Sequence, residues 1–256
     1  MNQHKKKELL LLLLWNIPAF GLSFLIGSNY IITAVLFFVI PAIYLSIKRP
    51  SIIKKIFSSA VVILVPSVSI LNYFAHTDGS YYNFSIIGIR IFGVYPIDDF
   101  LWGFLYFYYI LMVYEYFFEK ERILKTPKRT IVFEIIGFSC ALLFSFAVYV
   151  SGHIFTISYF YAWLVGIVFL FLPILILYNH PRIFKKTILV GLFFIPLSFL
   201  YEYVAISKVN WIFPGHHFLG YVTLFNISFP LEEMLWLLLA APSVIVYYEF
   251  FADDEV

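Results

Sequence analysis

Charge is what this sequence has least of. Only 12% of its 256 residues are Asp, Glu, Lys or Arg, roughly half the share of an ordinary soluble domain. A chain that is 62% hydrophobic, with a mean hydropathy of +0.92, has no soluble way to hide its apolar surface. Cysteine is nearly absent: Cys140 stands alone inside an apolar run, so no disulfide framework can form and the redox compartment cannot be inferred. There is no glycine-rich strand-to-helix fingerprint and no P-loop, so no nucleotide or flavin cofactor is expected. The basic residues form no patch for nucleic acid. His216 and His217 are adjacent and have no matching pair elsewhere, so no metal site is expected.

What the chain does have is long apolar runs. A helix needs roughly 20 mostly apolar residues to span the hydrocarbon core, and eight stretches meet that length, near 9–27, 29–47, 57–75, 98–118, 131–151, 154–178, 187–206 and 232–251. The first follows Lys5, Lys6 and Lys7 but has no small-residue cleavage site, so it reads as a retained helix and not as a signal peptide. None of the eight holds a buried lysine, which argues against a retinal Schiff base. The expected fold is an all-α integral membrane protein in contact with membrane lipid.

Lysine and arginine alternate along the chain in the way that fixes orientation. If the N-terminus is cytoplasmic, the inner side holds Lys5 to Lys7, Lys48, Arg49, Lys54, Lys55, Lys120, Arg122, Lys125, Lys128, Arg129, Arg182, Lys185 and Lys186, fifteen of the seventeen basic residues. Arg90 and Lys208 fall outside. The expected location is the cell membrane, multi-pass, with both termini cytoplasmic.

The chain also repeats itself. Pro96-Ile97-Asp98-Asp99-Phe100-Leu101-Trp102 matches Pro230-Leu231-Glu232-Glu233-Met234-Leu235-Trp236, and Tyr114-Glu115 matches Tyr248-Glu249, with nineteen positions from proline to terminal glutamate in both copies. Upstream, Pro66 and Asn72-Tyr73 echo Pro196 and Glu202-Tyr203. The unit is four helices, expected over 1–125 and 126–256. An even number of crossings makes the copies parallel and puts both proline-acid motifs at one face.

Proline at the first helical position and acids in the first turn are also what any helix start favours. Two copies in register weaken that explanation without removing it. Glu115 and Glu249 lie sixteen residues beyond the second acids, about 24 Å along a helix at 1.5 Å per residue, so helix-end contacts are expected of them. Glu202, near the motif end of the seventh helix, is an intramembrane carboxylate and a functional candidate.

The doubled Pro-x-acid-acid motif resembles that of the small integral membrane lycopene cyclases of the heterodimeric or fused type, which also form the cyclase domain of fungal bifunctional carotenoid enzymes. Around it stand Tyr82-Asn83 and Gly88-Ile89-Arg90-Ile91 before the first copy, and Trp211, Pro214, Gly215 and Gly220 before the second. In the first copy Asp98 replaces the family's glutamate, and the order of the two halves looks swapped.

The resemblance implies β-cyclisation of the linear ends of lycopene or a similar lipophilic polyene, without net redox change. An acid protonates the terminal double bond, a neighbouring double bond attacks the cation, and a base removes a proton. Glu232 and Glu233 are the expected catalytic acids, with Asp98 and Asp99 facing them. Trp102, Trp236, Trp211 and Tyr82 are candidates for cation–π contact with the substrate, or ordinary members of an interfacial aromatic belt. Glu202 is placed with them, and Arg90 is a candidate partner of Asp98 or Asp99 or a solvated loop residue. Two other classes stay open: a small proton-coupled transporter, and a noncatalytic membrane partner in prenyl or carotenoid processing.

Overall fold

The computed structural model of this chain describes residues 3–119, 128–152 and 154–252. Lys120, Arg122 and Lys125, and the boundary between 125 and 126, lie outside the described residues. Among the described residues eight helices are long and apolar enough to cross a membrane. They are α1 Gln3–Leu25, α2 Tyr30–Lys48, α3 Pro50–Thr77, α4 Asp98–Phe117, α5 Lys128–Ser151, α6 Phe160–Asn179, α7 Pro181–Ser207 and α8 Leu231–Ala252.

Several helices begin earlier than hydropathy alone places them. Those near 9, 57 and 187 start instead at Gln3, Pro50 and Pro181, because lysines end an apolar window without ending the i to i−4 hydrogen bonding that makes a helix. The sixth starts later, at Phe160, since Tyr159 before it adopts a left-handed φ of 58°.

α4 and α8 form the centre. Of the apolar window in α4, 61% is buried, against 11% in α5 and 22% in α6, so the latter two present most of their surface to lipid. α4 packs on α2, α3 and α8, while α8 packs on α6, α7 and α4. Both central helices open on their acid motif, so the two motif ends lie side by side.

Three helices carry wide π-turns: Val35–Val39 in α2, Ser67–Asn72 in α3 and Leu164–Phe171 in α6. Each inserts an extra residue into the helical ladder and re-aims the side chains after it. In α3 the wide turn follows Pro66, whose missing N–H loosens the ladder, and it ends at Asn72, a side chain that points to α4.

The loops at the motif end are not irregular. Six short strands, β1 Tyr82–Asn83, β2 Arg90–Ile91, β3 Tyr95–Pro96, β4 Trp211–Ile212, β5 Tyr221–Leu224 and β6 Ile227–Pro230, form three antiparallel pairs. Two pairs are local, β2 with β3 and β5 with β6. The third joins the loop before α4 to the loop before α8, setting Tyr82 opposite Ile212 and Asn83 opposite Trp211.

Beside this pair Gly215 N–H donates to the Gly79 carbonyl at 2.8 Å. A Cβ on Gly215 would sit 2.6 Å from that oxygen, and Gly79 has a φ of +74°. Both positions therefore require glycine, and together they fasten the two loops into one cap.

The cross-loop strand pair is directly testable. Directly opposed residues in an antiparallel pair have Cα atoms about 4.5–5.5 Å apart, inside the range a disulfide spans. With Cys140 changed to Ser, the double variant Tyr82→Cys, Ile212→Cys should cross-link on mild oxidation, read as a linked peptide by mass spectrometry. Failure to link would contradict the pairing.

Candidate active site

The two acids of each motif do different work. The first acid ties its own loop. Asp98, fully buried, accepts from Ser85 Oγ at 2.6 Å and from the Ile87 N–H at 3.2 Å. Glu232, also fully buried, accepts from the Leu219 N–H at 2.7 Å. In each copy the residue after the proline also bonds back, Ile97 N–H to the Ile89 carbonyl and Leu231 N–H to that of Gly220. These carboxylates hold the cap onto the helix starts.

The second acid points into the bundle. Asp99 is 4% exposed and gathers donors from four segments. Tyr30 OH at the start of α2 donates to one of its oxygens at 3.3 Å, and the Asn83 side-chain amide donates to the same oxygen. The Asn72 amide and Tyr81 OH donate to the other, and His76 Nε2 lies 3.1 Å from it. Tyr81 OH also donates to Asn72. These bonds tie one carboxylate to α2, α3 and the loop before α4.

Glu233 occupies the matching position in α8 with a poorer set. Tyr161 OH, from the start of α6, donates to it, as Tyr30 does to Asp99. Where α3 offers Asn72, however, α7 offers Glu202, whose carboxylate is 1% exposed and interacts electrostatically with Glu233. Glu202 accepts from Trp211 Nε1 at 2.9 Å. One acid is therefore surrounded by donors and the other faces a second acid.

The two halves of the site are joined. Asn83, which bonds Asp99, stands opposite Trp211, which bonds Glu202, in the β1–β4 pair. Tyr81, in the loop between α3 and β1, lies between them: burial pushes its phenol well above the usual range, and the charges of Asp99 and then Glu233 add to this.

Next to the carboxylates is a cage of rings. Trp102 and Trp236, the tryptophans three residues after each second acid, have centroids 5.6 Å apart, and Trp102 also meets Tyr106 at 5.5 Å and Trp211 at 6.3 Å. Phe38, Trp102, Tyr106, Tyr201, Trp211 and Trp236 border a narrow gap into which Glu202 also faces.

Two expected site residues sit elsewhere. Arg90 reaches neither Asp98 nor Asp99; its guanidinium donates to the carbonyls of Val94 at 2.5 Å and Asn83 at 2.6 Å. It braces β1 and acts on Asp99 only through Asn83. Tyr82 stacks under that guanidinium, 4.4 Å from it, at the rim. Strand alternation turns Tyr82 outward and Asn83 inward.

Tyr30, Tyr161, His76, Tyr81 and Tyr201 were not singled out from the sequence. Aligning the α2 and α6 starts in the repeat would have paired Tyr30 with Tyr161, because each precedes a second acid's helix by the same topology.

At the opposite end, Tyr114 OH donates to Glu249 and Tyr248 OH donates to Glu115, so each copy's tyrosine serves the other copy's glutamate. Lys55 Nζ is 2.7 Å from Glu115. These acids take helix-end contacts and do not join the site.

No curated protein and no solved structure matches the chain. Residues 29–117, about a third of the sequence, match the family model for lycopene cyclase, and the matched segment carries Tyr30, Asn72, His76, Asp98, Asp99 and Trp102.

Proposed function

We propose that the chain is a β-forming carotenoid cyclase built from two parallel four-helix units, with its site at the interface where the second acids of both motifs meet. The observation that carries this reading is the convergence of Asp99, Glu202 and Glu233 on one buried cluster beside the Trp102 and Trp236 rings. Basic-residue alternation supports an orientation with this end outside and both termini in the cytoplasm.

In this mechanism Glu202 and Glu233 hold one proton between them, because two neighbouring buried carboxylates resist carrying two negative charges. Glu233 delivers it to the terminal double bond of the polyene. The neighbouring double bond attacks the resulting cation, a carbon–carbon bond closes the ring, and the positive charge moves to a ring carbon. Ring faces of Trp102, Trp211 and Trp236 stabilise it by cation–π attraction. Asp99 then removes a proton from the adjacent carbon, leaving the ring double bond. Proton in equals proton out, and Glu233 takes its next proton from solvent between turnovers.

The transporter alternative needs a polar route from this cluster to Glu115 and Glu249. Between the two lie Tyr109, Ile110, Leu111, Met112 and Val113 of α4 with Val244 and Ile245 of α8, all at most 2% exposed. That layer supports a closed site and not a conduit.

Expression in lycopene-accumulating bacteria, with pigment chromatography, tests the assignment. Glu233→Gln and Asp99→Asn should each lower cyclisation by about a hundredfold or more at normal membrane levels, the scale of a lost general acid or base. Glu232→Gln should lose far less, since the Gln carbonyl still accepts from the Leu219 N–H. A Glu232→Gln loss equal to that of Glu233→Gln would overturn the division between anchoring and reacting acids.

The same chemistry needs no electron carrier. Purified protein in detergent should convert lycopene without added flavin or nicotinamide, and strict dependence on reduced flavin would contradict a purely proton-driven ring closure.

A further inference from the structure

Beside the acid cluster, a cleft of about 360 Å³ opens on the side of the bundle, a volume typical of small-molecule sites. Its walls come from three elements: Phe20 of α1, Phe199, Leu200 and Tyr203 of α7, and Leu224, Phe225, Ile227 and Phe229 of the β5–β6 hairpin. All but one of the lining residues are apolar or aromatic. The exception is Glu202.

Glu202 lies on the boundary of two spaces. It lines the side cleft, and it also lines the narrow gap bordered by Trp102, Trp211 and Trp236. A single carboxylate, 1% exposed, therefore touches both an apolar opening on the bundle's flank and the aromatic cage beside Glu233. Trp211 fixes it there through the indole N–H.

The hairpin roof is unusual for a solvent loop. Phe225 at its tip has a φ of 48° and is 84% exposed, and Asn226 beside it also has a positive φ, 68°. The strained turn holds an aromatic ring at the mouth of the cleft. On α1 the neighbouring ring is Phe24, which meets Phe20 and Tyr203 and carries Lys208 Nζ 4.9 Å above it. The apolar wall thus continues along α1, with the Lys208 ammonium at its edge.

We infer that this cleft is a lateral portal that takes one isoprenoid end of a linear polyene hydrocarbon from the bilayer and passes it by Glu202 to the aromatic cage. This rests on the cyclase reading above. The occupant follows from the lining: rings and aliphatic chains whose polar groups are the Tyr203 hydroxyl and the buried Glu202 carboxylate, no cation to hold a headgroup, and an acid shared with the aromatic gap that a terminal double bond would meet. The opening admits one end at a time, and the rest of the polyene stays in the bilayer.

The test uses the whole chain in proteoliposomes with Cys140→Ser, and one cysteine placed either at Ile227 in the cleft or at Leu142, a lipid-facing residue of α5 that is 70% exposed. The probe is lycopene at the same phospholipid content in every arm, so protection reports the polyene and not an acyl chain. Lycopene should slow maleimide alkylation at position 227 by about tenfold, the effect of a site held by about 1.4 kcal/mol more than the lipid it displaces, and leave position 142 unchanged. A bulky adduct at 227 should lower cyclisation by a similar factor relative to the same protein unlabelled, and an adduct at 142 should not.

Alkylation at 227 that ignores lycopene, or cyclisation undiminished by the adduct, overturns the portal. The Glu233→Gln background separates the two ideas, because protection at 227 must persist there without turnover. Protection combined with no cyclisation in any background sinks the cyclase reading and keeps the binding site; cyclisation without protection does the reverse.

Discussion

The structure depends on one constraint: a carboxylate inside a membrane-spanning helix must find its partners within the protein, because hydrocarbon offers none. Asp99 meets it by drawing Tyr30, Asn72, His76, Tyr81 and Asn83 from α2, α3 and the loop before α4. Those demands shape the surrounding backbone. The wide turn of α3 presents Asn72, and β1 turns Asn83 inward. The close contact of Gly79 with Gly215 locks this loop against its counterpart from the second half.

The second half answers the same constraint with less. Its tyrosine and its tryptophan are in the matching places, but the donor corresponding to Asn72 is the acid Glu202. One half of the molecule therefore surrounds its acid with donors and the other half sets its acid against a second one. Cyclisation needs a proton given at one place and another removed nearby, and on the proposed reading this asymmetry within a paired framework serves both steps. At the far end the exchanged bonds of Tyr114 with Glu249 and Tyr248 with Glu115 join α4 to α8.

Much of this was legible from the residues. Helix number follows from apolar length, and the meeting of Pro96 and Pro230 at one end follows from counting crossings between them. Glu202 stood out because an acid within an apolar helix is expensive. Two things were hidden. Asp98 and Asp99 look equivalent in sequence, yet neighbouring residues in a first turn point about 100° apart, so one meets the loop and the other meets the core. Tyr81 and Tyr82 are likewise adjacent aromatics, and only the pairing of β1 with β4 decides which of the two turns inward. Arg90 looked like an acid's partner by charge, but its reach is spent on the carbonyls that stiffen β1. Contacts made across the cap carry no local signature in the sequence.

The central claim is that a proton held by the buried carboxylates starts ring closure. Cyclisation of lycopene by the protein equilibrated in D2O reads this at the atom concerned. Mass spectrometry of the product should find one deuterium in each ring formed, at the carbon that receives the proton, and none in the unreacted chain. Rings formed without deuterium would mean that the hydrogen comes from somewhere other than an exchangeable acid, and the roles given to Glu233 and Glu202 would be wrong.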